Sequence, residues 1–519
     1  MSKDYKPIRR AKKSIFQILF GRTAVIMILL AVHFFLLFGL LMKLTSAMPY
    51  YIGGMTMLAI VMLVYILNTR SDASIKLSWS VLIAVAPLFG TLLYWFVRID
   101  PGRRFSRKID KRSVQESKQY APDHQDILRD IQKKDPSFYG TAYYLQNACG
   151  LGICDGRDAV YFPLGENMFK SMLFELNKAR KYIFMEYFII DNGYMWNSIL
   201  DILKRKASEG VEVRVMFDGT CTFARLPAGY PKTLEKMGIH CKVVSPVKLF
   251  LSTYHNNRDH RKILSVDGKV AFTGGINLSD EYINRSHPYG HWKDTGVMVR
   301  GQAARSFTLM FLQMWNATER HPEYSRYLPR IEEEPNPRGY ILPFSDTPTD
   351  SERVGQTVYM QIINGAKRTM YIMTPYLILD GEMLTALCQC AKRGVDTRII
   401  LPSVPDHKYA YVLARRHFGE LMDAGVKIYT YTPGFIHAKV LLADGEEAVV
   451  GSINLDYRSL YLHYECGAYF HKTPVLPDIA LDFKNTFTKS HLLTYEDLKK
   501  ESLLSRLFGA VLKAVAPLM

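Results

Sequence analysis

The chain has 519 residues, seven cysteines and a formal net charge of +17 at pH 7. This length accommodates two domains and a membrane anchor, and the basic charge implies an anionic partner, for which nucleic acid and anionic lipid both qualify on charge alone. The cysteines are scattered and odd in number, and they match neither a zinc site nor a disulfide framework, so we expect free thiols.

The N-terminal part predicts a membrane segment over residues 23–97. Residues 1–22 are rich in Lys and Arg and are expected to be a cytoplasmic tail. The apolar run at residues 23–42 is long enough to cross a bilayer, and it lacks the clear cleavage site of a removed signal peptide. Two further apolar runs follow at residues 50–67 and 77–97.

Basic residues on both sides of the membrane segment limit the number of spans. Residues 98–118 carry many Lys and Arg, so this flank is also expected in the cytoplasm. Three full spans cannot satisfy both flanks, whereas two spans with a re-entrant or interfacial third run can. We therefore predict a multi-pass protein and leave the third run open. Residues 98–140 read as a charged linker whose basic side chains can contact anionic headgroups.

A repeated order of elements begins near residue 141. In the first copy we predict helix, strand, helix and strand at residues 169–180, 182–190, 196–208 and 211–217. In the second copy the same order falls at residues 358–368, 370–378, 382–392 and 395–401. The β-α-β order favours parallel pairing. We predict two pseudo-symmetric α/β domains, residues 141–325 and 326–493, with mixed, largely parallel sheets.

Each predicted domain contains one copy of the same motif: H-x-K, four apolar or small residues, D-G, an apolar run, then G-G/S-x-N. The polar residues of the two copies are His260, Lys262, Asp267 and Asn277, and His437, Lys439, Asp444 and Asn454. Residues two apart on a strand share a face, so the His and Lys of each copy point the same way. The Asp has the opposite parity and begins a hairpin signal, so we expect it to anchor a turn rather than take part in bond making.

Two His, two Lys and two Asn in one pocket would suit phosphodiester chemistry. One neutral imidazole would attack phosphorus and form a phosphohistidine. The other, as imidazolium, would protonate the leaving alkoxide and then act as base for the incoming hydroxyl. The Lys and Asn donors would stabilise charge on the non-bridging oxygens. We predict no metal, because a Lys on the same face as each His would repel a cation.

These residues resemble the HKD motifs of the phospholipase D superfamily. Residues 274–282 and 292–295 resemble the first motif of bacterial cardiolipin synthases, and residues 434–439 and 451–459 resemble the second. The resemblance implies phospholipase D-like domains, an anionic phospholipid substrate and no cofactor. His463 stands where that family usually has Asn. The catalytic set that the resemblance implies is His260, Lys262, Asp267, His437, Lys439 and Asp444.

The duplication also pairs two acids outside the motifs. Asp294 and Glu465 stand at the same position of the two copies. Each is followed by one residue that differs between the copies, then by a Gly and an apolar strand. We predict that each accepts the Nδ1 proton of a catalytic His and fixes its tautomer. The alternative is a surface acid at the start of a strand. Which acid would serve which His is not fixed by the sequence.

Residues 494–519 predict a C-terminal amphipathic helix. Thr494 to Asp497 resemble a capping box. The helix could lie on the bilayer or pack on the enzyme's own surface, and both alternatives stay open. Its apolar residues at helical spacing are Leu504, Leu507, Phe508, Val511, Val515 and Leu518.

The predicted function is phosphatidyl transfer at a bacterial cell membrane. The resemblance implies that one His attacks phosphatidylglycerol, glycerol leaves, and a second phosphatidylglycerol accepts the phosphatidyl group, giving cardiolipin. The main alternative is a phospholipase or nuclease that uses water as acceptor on the same site. The anchoring spans argue against nucleic acid as substrate, and a non-catalytic scaffold would leave the motif residues idle. The sequence leaves the oligomeric state open.

Overall fold

A computed structural model describes residues 48–98, 101–122, 124–227, 229–245, 257–331 and 337–518, together with Ala31 and Phe35. The predicted basic tail and nearly all of the first apolar run therefore lie outside the described residues. The seven cysteines are free thiols, as the sequence predicts.

The first domain is built on a seven-stranded sheet. Its strands are β2 (Ala159–Phe162), β3 (Tyr182–Tyr187), β4 (Glu212–Asp218), β5 (Ile239–Val244), β7 (Lys262–Val266), β8 (Val270–Gly274) and β10 (Gly296–Arg300). They lie in the order β2-β10-β8-β7-β3-β4-β5. The first motif therefore occupies the middle of this sheet, because its Lys begins β7.

The second domain is built on a larger sheet in the order β1-β11-β18-β17-β16-β12-β13-β14-β19, with β6 paired to β18. Its strands are β1 (Cys154–Asp155), β6 (Arg258–Asp259), β11 (Tyr340–Asp346), β12 (Thr369–Met373), β13 (Asp396–Pro402), β14 (Lys427–Tyr431), β16 (Val440–Ala443), β17 (Glu447–Gly451), β18 (His463–His471) and β19 (Ser490–Leu492). A two-stranded sheet joins β9 (His291–Lys293) and β15 (Gly434–Ile436).

The two large sheets repeat one strand order, because the run β11-β18-β17-β16-β12-β13-β14 corresponds strand for strand to the whole first sheet. The prediction of mixed sheets is confirmed, but the prediction of largely parallel pairing is wrong. Within each repeat the parallel pairs are β3-β4-β5 and β12-β13-β14, and the other neighbours are antiparallel. The reason is local: Asp-Gly turns join β7 to β8 and β16 to β17 as hairpins, which pair antiparallel.

Helices surround the sheets, and the β-α-β units follow the predicted order in both domains. The helices are α1 (Met48–Leu67), α2 (Ala73–Val85), α3 (Pro87–Arg98), α4 (Pro101–Ser117), α5 (Gln125–Lys134), α6 (Pro136–Cys149), α7 (Gly165–Lys178), α8 (Tyr194–Ser208), α9 (Gly219–Ala224), α10 (Tyr230–Glu235), α11 (Gly301–Asn316), α12 (Val354–Gly365), α13 (Gly381–Lys392), α14 (Lys408–Asp423), α15 (Tyr457–Tyr461), α16 (Leu476–Phe487), α17 (Tyr495–Lys499) and α18 (Leu503–Val515).

The space between the two sheets is filled by apolar side chains from both domains. Phe184 and Phe307 of the first domain share one buried cluster with Val440 and Phe470 of the second. Burial of apolar surface is the main favourable term in association. The seam between the domains is therefore a continuous core, and it gives the motif strands a fixed relative position.

The segment before the first domain packs on the second one. Phe138 and Leu145 of α6 belong to the core of the second domain, and β1 pairs with β11. The predicted boundary at residue 141 therefore differs from the structure, in which the segment through β1 lies with the second domain.

The N-terminal region contains one long apolar helix among the described residues. By length and composition, residues Pro49–Leu67 of α1 can cross a membrane. The third apolar run is not continuous, because Ala86 leaves the helical conformation before Pro87 and separates α2 from α3. These helices have 13 and 12 residues, against the roughly 20 that a span needs. Apolar residues of α1, α2 and α3 pack together.

Candidate active site

Both motif histidines lie at the seam between the domains. Strand β6 ends directly before His260 and pairs parallel with β18, and β15 ends directly before His437 and pairs parallel with β9. The His260 amide donates to the Tyr464 carbonyl at 2.9 Å, and the His437 amide donates to the Lys293 carbonyl at 2.7 Å. Each motif His is thus held by a strand of the opposite domain.

The same pairings bring each His to an acid of the other domain. His260 Nδ1 lies 2.9 and 3.0 Å from the two carboxylate oxygens of Glu465, and His437 Nδ1 lies 2.6 Å from Asp294 Oδ2. All four side chains are buried. A carboxylate at Nδ1 leaves Nε2 of each imidazole as the nitrogen that can face a substrate.

The two pairs differ in charge. Burial alone would raise the pKa of Glu465, but the charge and hydrogen bond of His260 hold that pKa below its usual range. Burial raises the pKa of Asp294 to about 7, against the lowering effect of Lys439. Burial also lowers the pKa of His260 to about 3 and that of His437 well below its usual value. Glu465 is therefore a carboxylate at neutral pH, whereas Asp294 titrates there.

The motif lysines lie beneath the histidines. Lys262 Nζ donates to the His260 carbonyl, and Lys439 Nζ donates to the His437 carbonyl. Burial lowers the pKa of Lys262 to about 8 and that of Lys439 to about 7. The H-x-K spacing thus fixes the backbone of each His and places two buried ammonium groups at the seam, an arrangement suited to an anionic ligand.

The motif aspartates anchor turns far from the histidines. Asp267 accepts hydrogen bonds of 2.8–2.9 Å from the amides of residues 180–182, and Asp444 accepts bonds of 2.7–2.8 Å from the amides of residues 367–369. Both adopt left-handed backbone conformations, with φ of 54° and 57°. Asp267 lies five residues beyond Lys262, about 16 Å away along an extended strand. The structure therefore does not bring these two residues to the paired imidazoles.

The side chains of the two motif asparagines differ in their hydrogen bonding. Asn277 donates to the Tyr282 hydroxyl at 2.8 Å and accepts from the Ile189 amide at 3.1 Å, so its side chain is occupied within the protein. Asn454 is buried, and its Oδ1 has no hydrogen-bond partner. Of the two, Asn454 therefore retains hydrogen-bonding capacity for a ligand.

A second pair of rings, from Trp292 and His463, flanks the imidazoles. Trp292 lies 5.5 Å from His437 between ring centroids, at 43°, and His463 lies 5.5 Å from His260, at 41°. Each ring stands two residues before the acid of its own domain and therefore lies on the same strand face as that acid. This spacing is the sequence signal that places both rings near the site. One half of the site thus carries an indole where the other carries a third imidazole.

Three side chains of the site could hold a metal ion. His260, His463 and Glu465 offer ligand atoms within 4.8 Å of one another. The buried Lys262 is close enough to perturb both His260 and Glu465, and its positive charge disfavours a cation there. The prediction that no metal is needed stays a prediction.

Two repeated α/β domains that meet at paired HKD motifs define a phospholipase D-like enzyme. The family described as "Cardiolipin synthase, PLD-like domain" matches residues 172–315 and 359–489, and the "Phospholipase_D-nuclease N-terminal" family matches residues 57–98. The chain belongs to the cardiolipin synthase family, whose members are transferases of phospholipid biosynthesis, and the predicted family and enzyme class are confirmed.

Similar proteins cover most of the chain. The cardiolipin synthase of Geobacillus kaustophilus is 36% identical over 68% of this chain and 71% of its own length, and that of Alkalihalophilus pseudofirmus is 31% identical over 85% and 88%. An uncharacterized protein of Streptococcus mutans is 49% identical over 88% of this chain and 99% of its own length. The crystal structure of phosphatidylserine synthase from Haemophilus influenzae has a TM-score of 0.57 at 13% identity, covering 73% of this chain and 99% of that one, and it shares the fold.

Proposed function

We propose that this enzyme makes cardiolipin and glycerol from two phosphatidylglycerol molecules through a phosphatidyl-histidine intermediate. The observation that carries the proposal is the crossed pairing at the seam, His260 with Glu465 and His437 with Asp294. Each pairing leaves one Nε2 for chemistry, so the site has two imidazoles with separate tasks. Family membership supports a phospholipid as the phosphodiester substrate.

His260 is the proposed nucleophile. The ionised Glu465 holds the proton of His260 on Nδ1, so the lone pair of Nε2 attacks phosphorus. The bond from phosphorus to the headgroup glycerol breaks, and His437 Nε2–H protonates the leaving oxygen. Burial disfavours imidazolium at His437 in the empty site, and the negative charge of a bound phosphate favours it, so the acid forms when substrate arrives.

The second step reverses the proton transfers. His437 takes the proton of a hydroxyl on the second phosphatidylglycerol, and that oxygen attacks phosphorus. The bond between phosphorus and His260 breaks, which releases cardiolipin and restores the enzyme. Lys262 and Lys439 hold charge on the non-bridging oxygens in both steps. One phosphodiester replaces another, so no cofactor or nucleotide is required.

Apolar rings favour a lipid acceptor over water. The ring centroids of Tyr282, Trp292 and Phe435 lie 5.4, 5.5 and 5.8 Å from that of His437. An imidazole enclosed in this way has little room for bulk water. This observation favours transfer over the alternative, phospholipase-type hydrolysis with water as acceptor.

One assay separates the two functions. Purified enzyme in detergent is given phosphatidylglycerol labelled in its phosphatidyl part, with and without a chelator. Cardiolipin and free glycerol in equal amounts support the transferase, and phosphatidic acid as the sole labelled product contradicts it. Activity that the chelator abolishes would contradict the metal-free mechanism and implicate the His260, His463 and Glu465 donors.

We also propose a bacterial cell membrane location with two spans, residues 23–42 and α1. Basic residues on both sides support cytoplasmic flanks. The second domain is linked to the N-terminal helices through the C-terminal helix α18, which packs on α14 and also against α2. Labelling of single cysteines placed before residue 23 and after residue 98 tests this topology, since both should react from the cytoplasmic side alone.

A further inference from the structure

The C-terminal helix α18 is fixed to the second domain along one face. Gly509 lies so close to α14 that a Cβ there would be 2.8 Å from Arg416 Nε and 3.0 Å from Val412 Cγ1. Just before the helix, Glu501 forms ion pairs with Arg415, at 3.5 Å, and with Arg416. This face of α18 therefore packs on the enzyme's own surface, which is one of the two predicted alternatives.

The opposite face of α18 is apolar and exposed. Its large side chains follow a spacing of i, i+1, i+4, i+5 and i+8, which places them in one stripe of a helix. The stripe consists of Leu503, Leu504, Leu507, Phe508 and Val511, which are 81%, 80%, 64%, 55% and 59% exposed. A contiguous patch of this kind marks an interaction surface rather than ordinary solvent-facing residues.

The membrane segment continues this apolar stripe. The C-terminal turn Ala516–Leu518 and α18 itself pack against α2, which packs on α1. Helix α2 also turns apolar side chains outward, with Leu77 65% and Val85 78% exposed. Helix α18 therefore lies next to α2 and, through it, near α1, the helix that by length and composition can cross a membrane.

We propose that the stripe of α18 inserts into the bilayer surface, so that the helix lies in the interface and holds the second domain against the membrane. The occupant is lipid, because the stripe is continuous with α2 and α1. Both predicted alternatives then hold together: one face of the helix packs on the enzyme, and the other face lies on the bilayer.

Spin labels on the full-length enzyme test the proposal. Cys149 and Cys241, the two half-buried cysteines, are replaced by Ser, and a nitroxide is attached at Val511→Cys or, as control, at Phe174→Cys. The matched positions are each 59% exposed, but Phe174 lies on α7 of the first domain. In phosphatidylcholine–phosphatidylserine vesicles, the Val511 label should be about 5–10 Å deep, reached by oxygen rather than by an aqueous nickel complex.

Two outcomes would overturn the proposal. One is a label at Val511 that the nickel complex reaches as easily as the label at Phe174. The other is a concentration-dependent cross-link between Val511→Cys positions of two chains, which would assign the stripe to a second copy.

A second measurement needs no substitution on α18. The unaltered enzyme is placed in vesicles that contain phosphatidylcholine with a diazirine in its acyl chain, and labelled peptides are mapped after illumination. Peptides from α18 should be labelled together with those from α1, while peptides from α7 should not. Labelling of α1 without labelling of α18 contradicts the proposal, whatever the spin-labelled variants do.

Discussion

At the residue scale, the two catalytic candidates differ in the acids that hold them. Glu465 is ionised and contacts His260 with both oxygens, whereas Asp294 contacts His437 with one oxygen, and burial raises its pKa to about 7. A fixed carboxylate suits a nucleophile that must keep one tautomer. An acid that titrates near neutrality suits an imidazole that gains and loses a proton in each half of the reaction.

Replacing Glu465 tests the positioning role. Glu465→Gln keeps the shape but removes the charge that holds the Nδ1 proton of His260, and we expect kcat to fall about 10²- to 10⁴-fold with little change in KM. Asp346→Asn is the matched control, because burial raises the pKa of this neighbouring carboxyl to about 8, so it is already neutral. Steady-state kinetics in mixed micelles measure both variants, and full turnover by Glu465→Gln would refute the role.

The buried lysines predict a loss of activity at alkaline pH. Their ammonium form is the one that stabilises phosphate, and burial lowers the pKa of Lys439 to about 7 and that of Lys262 to about 8. We therefore expect kcat/KM to fall as pH rises through about 7 to 8. Lys439→Arg keeps its charge at these pH values, so its residual activity should decline at higher pH than that of the wild type.

The exposed Lys472 supplies the control for that profile. It lies on the surface beside Asp135 and away from the seam, so Lys472→Arg should leave the pH dependence unchanged. An alkaline limb at the same pH in Lys439→Arg and in the wild type would assign the limb to another group.

At the scale of elements, each motif is a strand held at its two ends by different contacts. The His end is held across the seam by β18 or β9, and the Asp end is held within its own domain by three backbone amides. The motif aspartates therefore act on the strand, and their effect on the chemistry is indirect.

This division predicts a stability effect at Asp267. Asp267→Ala removes three acceptor contacts and leaves an unfavourable left-handed residue, so we expect a loss on the order of 2 kcal/mol and a lower midpoint of thermal unfolding in detergent. Asp267→Asn tolerates the backbone and keeps one acceptor oxygen, so it should lose less. Folded Asp267→Ala enzyme should retain most of its kcat below the transition.

The opposite pattern would contradict this assignment. If Asp267→Ala melts like the wild type but loses turnover as fully as a motif His variant, the aspartate acts in the chemistry rather than in the turn.

At the scale of the whole molecule, the active site forms where the two repeated domains meet. The sequence predicts the residues of the site but not how they pair across the domains. The repeated motif, the acids Asp294 and Glu465 and the turn role of Asp267 and Asp444 are readable from spacing and parity. The crossed assignment of acids is not, because it depends on β6 and β15 each pairing with the other domain, and short cross-domain strands leave no periodic signal. Trp292 and His463 share a strand face with the two acids, but their approach to the imidazoles depends on the same cross-domain pairing.

The fold shows the same limit. The β-α-β units were predictable from their periodicity, while the overall share of parallel pairing was not, because the hairpins around each motif set the remaining strands antiparallel. The position of α5 and α6 on the second domain depends on tertiary packing alone. The exposed stripe of α18 was visible as helical spacing, but its outward orientation follows from the close approach of Gly509 to α14.

The central claim is that the two domains share one reaction through a lipid adduct on His260. The direct measurement is a rapid acid-free quench of enzyme with labelled phosphatidylglycerol, followed by mapping of the acid-labile label in the wild type, His260→Ala and His437→Ala. We expect label on His260 in the wild type, none in His260→Ala, and cardiolipin synthesis lost in both variants. Cardiolipin made by either variant at the wild-type rate, or label that persists in His260→Ala, would contradict the account.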